Sequence, residues 1–151
     1  MNKENTVSVL NDLLHITNDR IEGFARVEGK VWEMYSELKP QYDHMITEAK
    51  IMKNELINLI NERNGTPEDS ASAAGAIHRA WIDIRNAIPG KNREKATVEN
   101  VSFGEKAAVE AYESALASGD LDEESRKAVD DQLYKLRQSY ETFSKISEYK
   151  D

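Results

Sequence analysis

The chain contains no cysteine, which excludes disulfides, cysteine-ligated zinc, iron–sulfur clusters and thiol catalysis. That absence fits a cytoplasmic protein. Proline and glycine are scarce, three and seven in 151 residues, so the chain has few points where a regular element must break. Aromatic residues are sparse as well. A surplus of positive charge is also missing: the formal net charge of −8 argues against a nucleic-acid partner, because phosphate binding needs clustered Lys and Arg. No apolar run approaches the roughly 18 residues of a membrane span, and no stretch shows the basic amphipathic face of a membrane-surface helix. The first residues, Met1 to Asn5, enter an amphipathic pattern without the apolar block of a signal peptide. A Gly-rich phosphate loop, a His-Glu-x-x-His motif, a nucleophile elbow and zinc-ligand spacing are all lacking. The sequence therefore leans away from an enzyme.

What the chain does have is helical periodicity. Charged residues at 32% and hydrophobic ones at 39% describe a soluble helical protein, and the length suits one domain, residues 1–151, with one core. From Val7 onward, Leu10, Leu14, Thr17, Ile21, Phe24, Val31 and Tyr35 share a stripe flanked by Leu13, Val27 and Met34, which predicts a first helix over about residues 6–35, capped by Asn5 or Thr6. Ser36 reads as the cap of a second helix, with Pro40 in its first turn. Its stripe is Leu38, Tyr42, Met45, Ala49, Met52, Leu56 and Leu59. Asn64-Gly65-Thr66-Pro67 ends it, with Gly65 suited to the left-handed capping conformation. These two helices predict an antiparallel hairpin.

A crossover of about residues 67–93 follows. Within it Ala73, Ala76, Ile77, Trp81, Ile84 and Ala87 keep helical spacing, and Ile88-Pro89-Gly90 closes the short helix. A third long helix carries Val98, Val101, Glu105, Ala108, Tyr112 and Ala115, stopped by Ser118-Gly119-Asp120. The fourth starts near Asp122 and carries Val129, Leu133, Leu136, Tyr140, Phe143 and Ile146. Two helix pairs joined by one long connection predict an all-α, ferritin-like four-helix bundle whose long crossover contains a shorter helix.

Bundles of that kind build dinuclear metal sites from one inward Glu on each of two helices and Glu-x-x-His on each of the others. Glu28 and Glu105 stand seven residues before Tyr35 and Tyr112 on their stripes, as two facing pairs would. Glu22 is a second candidate at the stripe's edge. The second helix offers Glu48, followed at the third position by Ile51, and Glu55, followed by Asn58; the fourth offers Gln132 and Lys135, and no histidine follows His78. A nitrogen-ligated centre lacks its ligands. A divalent-metal site of carboxylates alone, from Glu22, Glu28, Glu48 and Glu105, stays open beside the plainer reading that these side chains bond to Tyr, Lys or Arg at the edge of the core.

The histidines have plain readings too. His15 shares a helix face with Asn18, Asp19 and Glu22, a spacing that suits a single divalent ion but suits a solvated polar face better. His44 lies four residues before Glu48, a surface pair. His78, with Gly75, Arg79 and Trp81, is expected to tie the crossover to the long helices by hydrogen bonds and an indole anchor.

Four segments carry a resemblance: Leu10–Leu13, Asn18–Phe24, Gly75-Ala76-Ile77-His78-Arg79-Ala80-Trp81, and Gly104-Glu105-Lys106-Ala107-Ala108-Val109-Glu110-Ala111-Tyr112. In these the chain resembles, over nearly its whole length, a bacterial family of ferritin-like four-helix-bundle proteins catalogued as a domain of unknown function. The resemblance implies a fold related in shape to ferritins and rubrerythrins, without a reaction. Glu22 and Glu105 lie within the recurrent segments, whereas Glu28 follows from periodicity alone. The expectation is a soluble structural, interaction or stress-related protein that self-associates through helix faces. A carboxylate-ligated metal binder or divergent di-metal oxidase is the alternative.

Overall fold

In a computed structural model the chain is all-helical, with no strand among the described residues, which are 3–26, 39–67, 75–87 and 94–149. The helices are α1 (Lys3–Arg26), α2 (Lys39–Glu62), α3 (Ala76–Ala87), α4 (Glu94–Ala117) and α5 (Glu123–Tyr149). Glu28, Val31, Tyr35, Ser36, Leu38 and Ile88-Pro89-Gly90 lie outside the described residues, as do the side chains of Phe24, Ile84, Val98, Val101, Phe143 and Ile146.

The alternation of three- and four-residue steps is realised where it can be followed. Tyr42, Met45, Ala49, Met52, Leu56 and Leu59 are the buried face of α2, joined by Ile60. Ala108, Tyr112 and Ala115 of α4, and Val129, Leu133 and Leu136 of α5, are buried against them. Each such aliphatic side chain removed from water stabilises by about 1.5–3 kcal/mol, against the conformational entropy of ordering it. α1 departs from a single stripe. Asp12, Leu13, Leu14, His15, Ile16 and Thr17 are consecutive and all buried, because α1 packs against α2, α3 and α4.

Two expected ends differ in detail. α1 begins at Lys3, so Thr6 is inside it, and its hydroxyl donates across the fold to the Asp120 carbonyl at 2.5 Å rather than capping the helix. At the end of α2, Asn64 and not Gly65 takes the left-handed conformation, with φ 60°. The Gly65 amide then reaches back to the Ile60 carbonyl at 2.9 Å and the Asn64 amide to Asn61 at 3.1 Å, a Schellman end. Gly65 is needed for another reason. A Cβ there would sit 2.6 Å from Cγ1 of Val7, so the glycine lets α1 approach. At the α4–α5 turn Gly119 has φ 74°. Asp122 caps α5 as the sequence suggests, its carboxylate accepting from the Ser125 amide at 2.8 Å.

Side-chain pairs fix the directions. Thr6 meets Asp120 and Arg20 meets Glu105, so α1 and α4 are antiparallel. Asn11 reaches Thr66, and α1 and α2 are antiparallel too. Arg63 at the end of α2 holds Asp122 and Glu124 at the start of α5 at 2.6 and 2.8 Å. Hence α2 and α4 run the same way, and the connection between them must travel back along the molecule. α3 does this against α1 and α4, starting beside Asp12 and reaching Asp19 at Trp81.

Candidate functional site

The interior is crossed by two polar layers, one helical turn or so apart on α1. Arg20 and Glu105 form the first. The Arg20 Nε and Nη2 donate to the two Glu105 carboxylate oxygens at 2.7 and 2.8 Å, the fork geometry in which guanidinium and carboxylate bind best. Both side chains are buried, at 4% and 2% exposure. The Ser139 hydroxyl of α5 donates to the same carboxylate at 2.5 Å, with the Met45 sulfur of α2 at 3.4 Å on its other side. Burial works against the Arg20 charge, but the field and hydrogen bonds of Glu105 outweigh it, and the guanidinium is held above its ordinary range. Glu48 adds to that field.

The second layer is a chain of hydrogen bonds. The Thr17 hydroxyl donates to the Leu13 carbonyl at 2.8 Å and lies 3.4 Å from the Tyr112 hydroxyl. Tyr112 donates to Gln132 Oε1 at 2.7 Å, and Gln132 Nε2 donates to the Met52 carbonyl at 3.2 Å. All four long helices contribute a group. Burial above all pushes the Tyr112 phenol up to about 12, so it is a neutral donor throughout the ordinary pH range.

The α1–α3 seam holds a third polar set. Asp12 accepts the Gly75 amide at 2.9 Å, placing a carboxylate at the start of α3, where the helix dipole favours it. A Cβ on Gly75 would collide with that carboxylate. His15 and His78 are both buried and stack with ring centroids 4.3 Å apart and planes 4° from parallel. Asp19 accepts the Trp81 indole N–H at 2.8 Å. Trp81 is buried, and a Cβ on Gly104 of α4 would meet its ring edge at 4.0 Å, an ordinary contact. The expectation of a solvated face around His15 is overturned: α3 covers it.

The candidate metal ligands do not form one group among the described residues. Glu105 is inside and engaged by Arg20 and Ser139. Glu48 is partly exposed and pairs at 3.0 Å with exposed His44. Glu22 is exposed, and Glu28 lies outside the described residues. Among the described residues no three His, Asp or Glu side chains are grouped to hold a metal ion. Arg79 exposes its side chain on α3. Arg20 and Ser139 are the functional groups that stripe-reading passes over. The signal for Arg20 is its spacing of three and seven from Thr17 and Leu13, which puts a cation on the inner face opposite an inward Glu.

A family model described as Domain of unknown function (DUF2383) matches residues 5–118. That stretch contains the Gly75–Trp81 and Gly104–Tyr112 segments and ends ahead of α5. No curated protein and no solved structure matches the chain.

Proposed function

We propose that this chain, which belongs to the family described as Domain of unknown function (DUF2383), is a single-domain ferritin-like four-helix bundle that works through its surfaces, as a structural, interaction or stress-related protein. Self-association through helix faces is part of this reading, as is a cytoplasmic setting. The topology that supports it is the parallel course of α2 and α4 with the connection running back beside α1. The observation that carries the function is the Arg20–Glu105 fork. In metal-bearing bundles inward carboxylates neutralise and bridge cations. Here a guanidinium supplies the positive charge at the inward Glu105, with Glu48 contributing from α2.

The test is elemental analysis of purified protein after incubation with Fe(II), Mn(II) and Zn(II), then desalting. The expected result is less than stoichiometric metal. Retention of two ions per chain, lowered by Glu105→Gln, would overturn this reading in favour of a carboxylate-ligated metal binder or divergent di-metal oxidase.

A further inference from the structure

We propose that Asn64 is a self-modifying site: the Gly65 amide displaces its side-chain nitrogen, the turn that ends α2 sets the rate, and the product loosens the joint between α2 and α1. Asn64 is the one asparagine in the chain that is followed by glycine. A side chain on the following residue hinders approach to that residue's amide nitrogen, and glycine leaves it open. Asn64 is exposed in the turn after α2, with φ 60°. Asn54, Asn58 and Asn61 are exposed too, but each lies within α2 and precedes Glu55, Leu59 or Glu62.

Water is the only co-reactant. Hydroxide removes the Gly65 amide proton, and the nitrogen's electron pair attacks Cγ of Asn64. A bond forms between Gly65 N and Cγ, and the bond from Cγ to Nδ2 breaks. The NH2 group leaves as ammonia with a proton from water, which restores the hydroxide. Water then opens the cyclic imide at either carbonyl. Cleavage of the new bond leaves an aspartate at this position. Cleavage of the original peptide bond leaves the main chain running through the side chain, longer by one carbon.

The native turn opposes the first step twice. The Gly65 amide donates to the Ile60 carbonyl at 2.9 Å, so the proton to be removed is already engaged. The same glycine lies against α1: a Cβ on it would sit 2.6 and 2.9 Å from the two Val7 methyls, and the backbone swings toward Cγ only if the turn lifts from Val7. A local opening therefore precedes reaction. Modification then removes these restraints. In the imide the Gly65 nitrogen has no proton, and its bond to Ile60 is lost. The aspartate adds negative charge at the C-terminal end of a helix, the end that disfavours it, where Arg63 already serves Asp122 and Glu124. The longer isomer shifts Gly65 from its seat on Val7.

Full-length protein is incubated at pH 7.5 and 8.5, and peptide mass spectrometry follows ammonia loss and the two acidic products. In the folded protein Asn64 should react about tenfold or more faster than Asn54, Asn58 and Asn61, and faster at the higher pH. Unfolding in urea should raise its rate by about tenfold or more again, because the opening step is then removed. Val7→Ala withdraws the methyls from Gly65 without touching the reacting atoms and should raise the native rate severalfold. The modified fraction, separated by anion exchange, should show faster hydrogen exchange at the end of α2 and the start of α1 than the unmodified one. Asn64 reacting no faster than the helical asparagines, equal rates in folded and unfolded chains, an unchanged rate in Val7→Ala, or unchanged exchange in the modified fraction would each overturn the proposal. If Val7→Ala does not fold, the natural sequence in urea below its unfolding transition decides: a rate that climbs with urea supports the opening step, and a flat one refutes it.

Discussion

Replacing Arg20 by Met strands the Glu105 carboxylate, at 2% exposure, with only the Ser139 hydroxyl as a described donor. Removing one partner of a buried pair costs about 3–5 kcal/mol, because the remaining charge has lost both solvent and counter-ion. Total stability of a domain this size is of order 5–15 kcal/mol, so the single change endangers the fold. Glu105→Leu should cost a similar amount by leaving the guanidinium stranded. The double variant Arg20→Met/Glu105→Leu places apolar side chains of comparable volume in the same layer, and Ser139 keeps the Met45 sulfur as a neighbour at 3.4 Å. It should fall within about 1–2 kcal/mol of the natural sequence, a coupling of several kcal/mol. Urea unfolding measures this. With a slope of about 2 kcal/mol per molar, each single variant should lower the midpoint by about 2 M and the double by less than 1 M. Singles that move the midpoint by under about 0.3 M, or a double equal to their sum, would show the pair to be solvated and the reasoning wrong.

Trp81→Ala should destabilise by about 3–5 kcal/mol, the usual cost of emptying a large aromatic site, with Asp19 losing its indole donor; an unmoved urea midpoint together with loss of a binding partner would make the segment a recognition surface instead. Tyr112→Phe leaves Gln132 Oε1 without its described donor and should cost about 1–3 kcal/mol at pH 7. The same variant tests the alkaline edge: the phenol stays protonated in the fold up to about 12, so stability is present below the unfolded value near 10 and is lost as pH rises through that window. The natural protein should lose midpoint between pH 10 and 12 more steeply than Tyr112→Phe. At the acid edge, the Arg63 hydrogen bond holds the Asp122 carboxyl down at about 2. Its contribution is complete above the ordinary carboxylate value and is lost as pH falls from about 4 through about 2. Asp122→Asn should flatten that edge by about 1 kcal/mol once solvent screening of this partly exposed pair is allowed for; parallel acid titrations would refute the assignment.

Periodicity makes the helices legible because each long helix must present one continuous apolar stripe to a shared core. Tyr42 to Leu59 and Val129 to Leu136 could be read that way without coordinates. The chain's break points are local as well, so Asp122 as a cap and Gly119 beyond α4 follow from residue type. Gly65 shows where local reading stops. Its position suggested a left-handed cap, yet Asn64 adopts that conformation and Gly65 is required by Val7, which is distant in sequence. His15 fails for the same reason. A single helix's pattern assigns one buried face, and only the return of α3 along α1 buries a second one.

The polar interior was half legible, and the missing half decides its meaning. Glu105 and Tyr112 announce themselves as polar residues on an apolar stripe, but an inward carboxylate is equally a metal ligand or an ion-pair partner until its neighbour is known. In the structure that neighbour is Arg20: both carboxylate oxygens accept from one guanidinium and Oε2 also accepts from Ser139. The same arrangement ties the interior to register. Sliding α4 along α1 by one turn, about 5.4 Å, would separate Arg20 from Glu105 and Thr17 from Tyr112 together, leaving buried charge and unpaired hydroxyls, whereas the flanking Leu and Ala side chains could find new neighbours. An apolar core alone would tolerate such slips. The two layers therefore penalise them at sites where all four long helices contribute, and the bundle keeps one alignment along which α3 can lie.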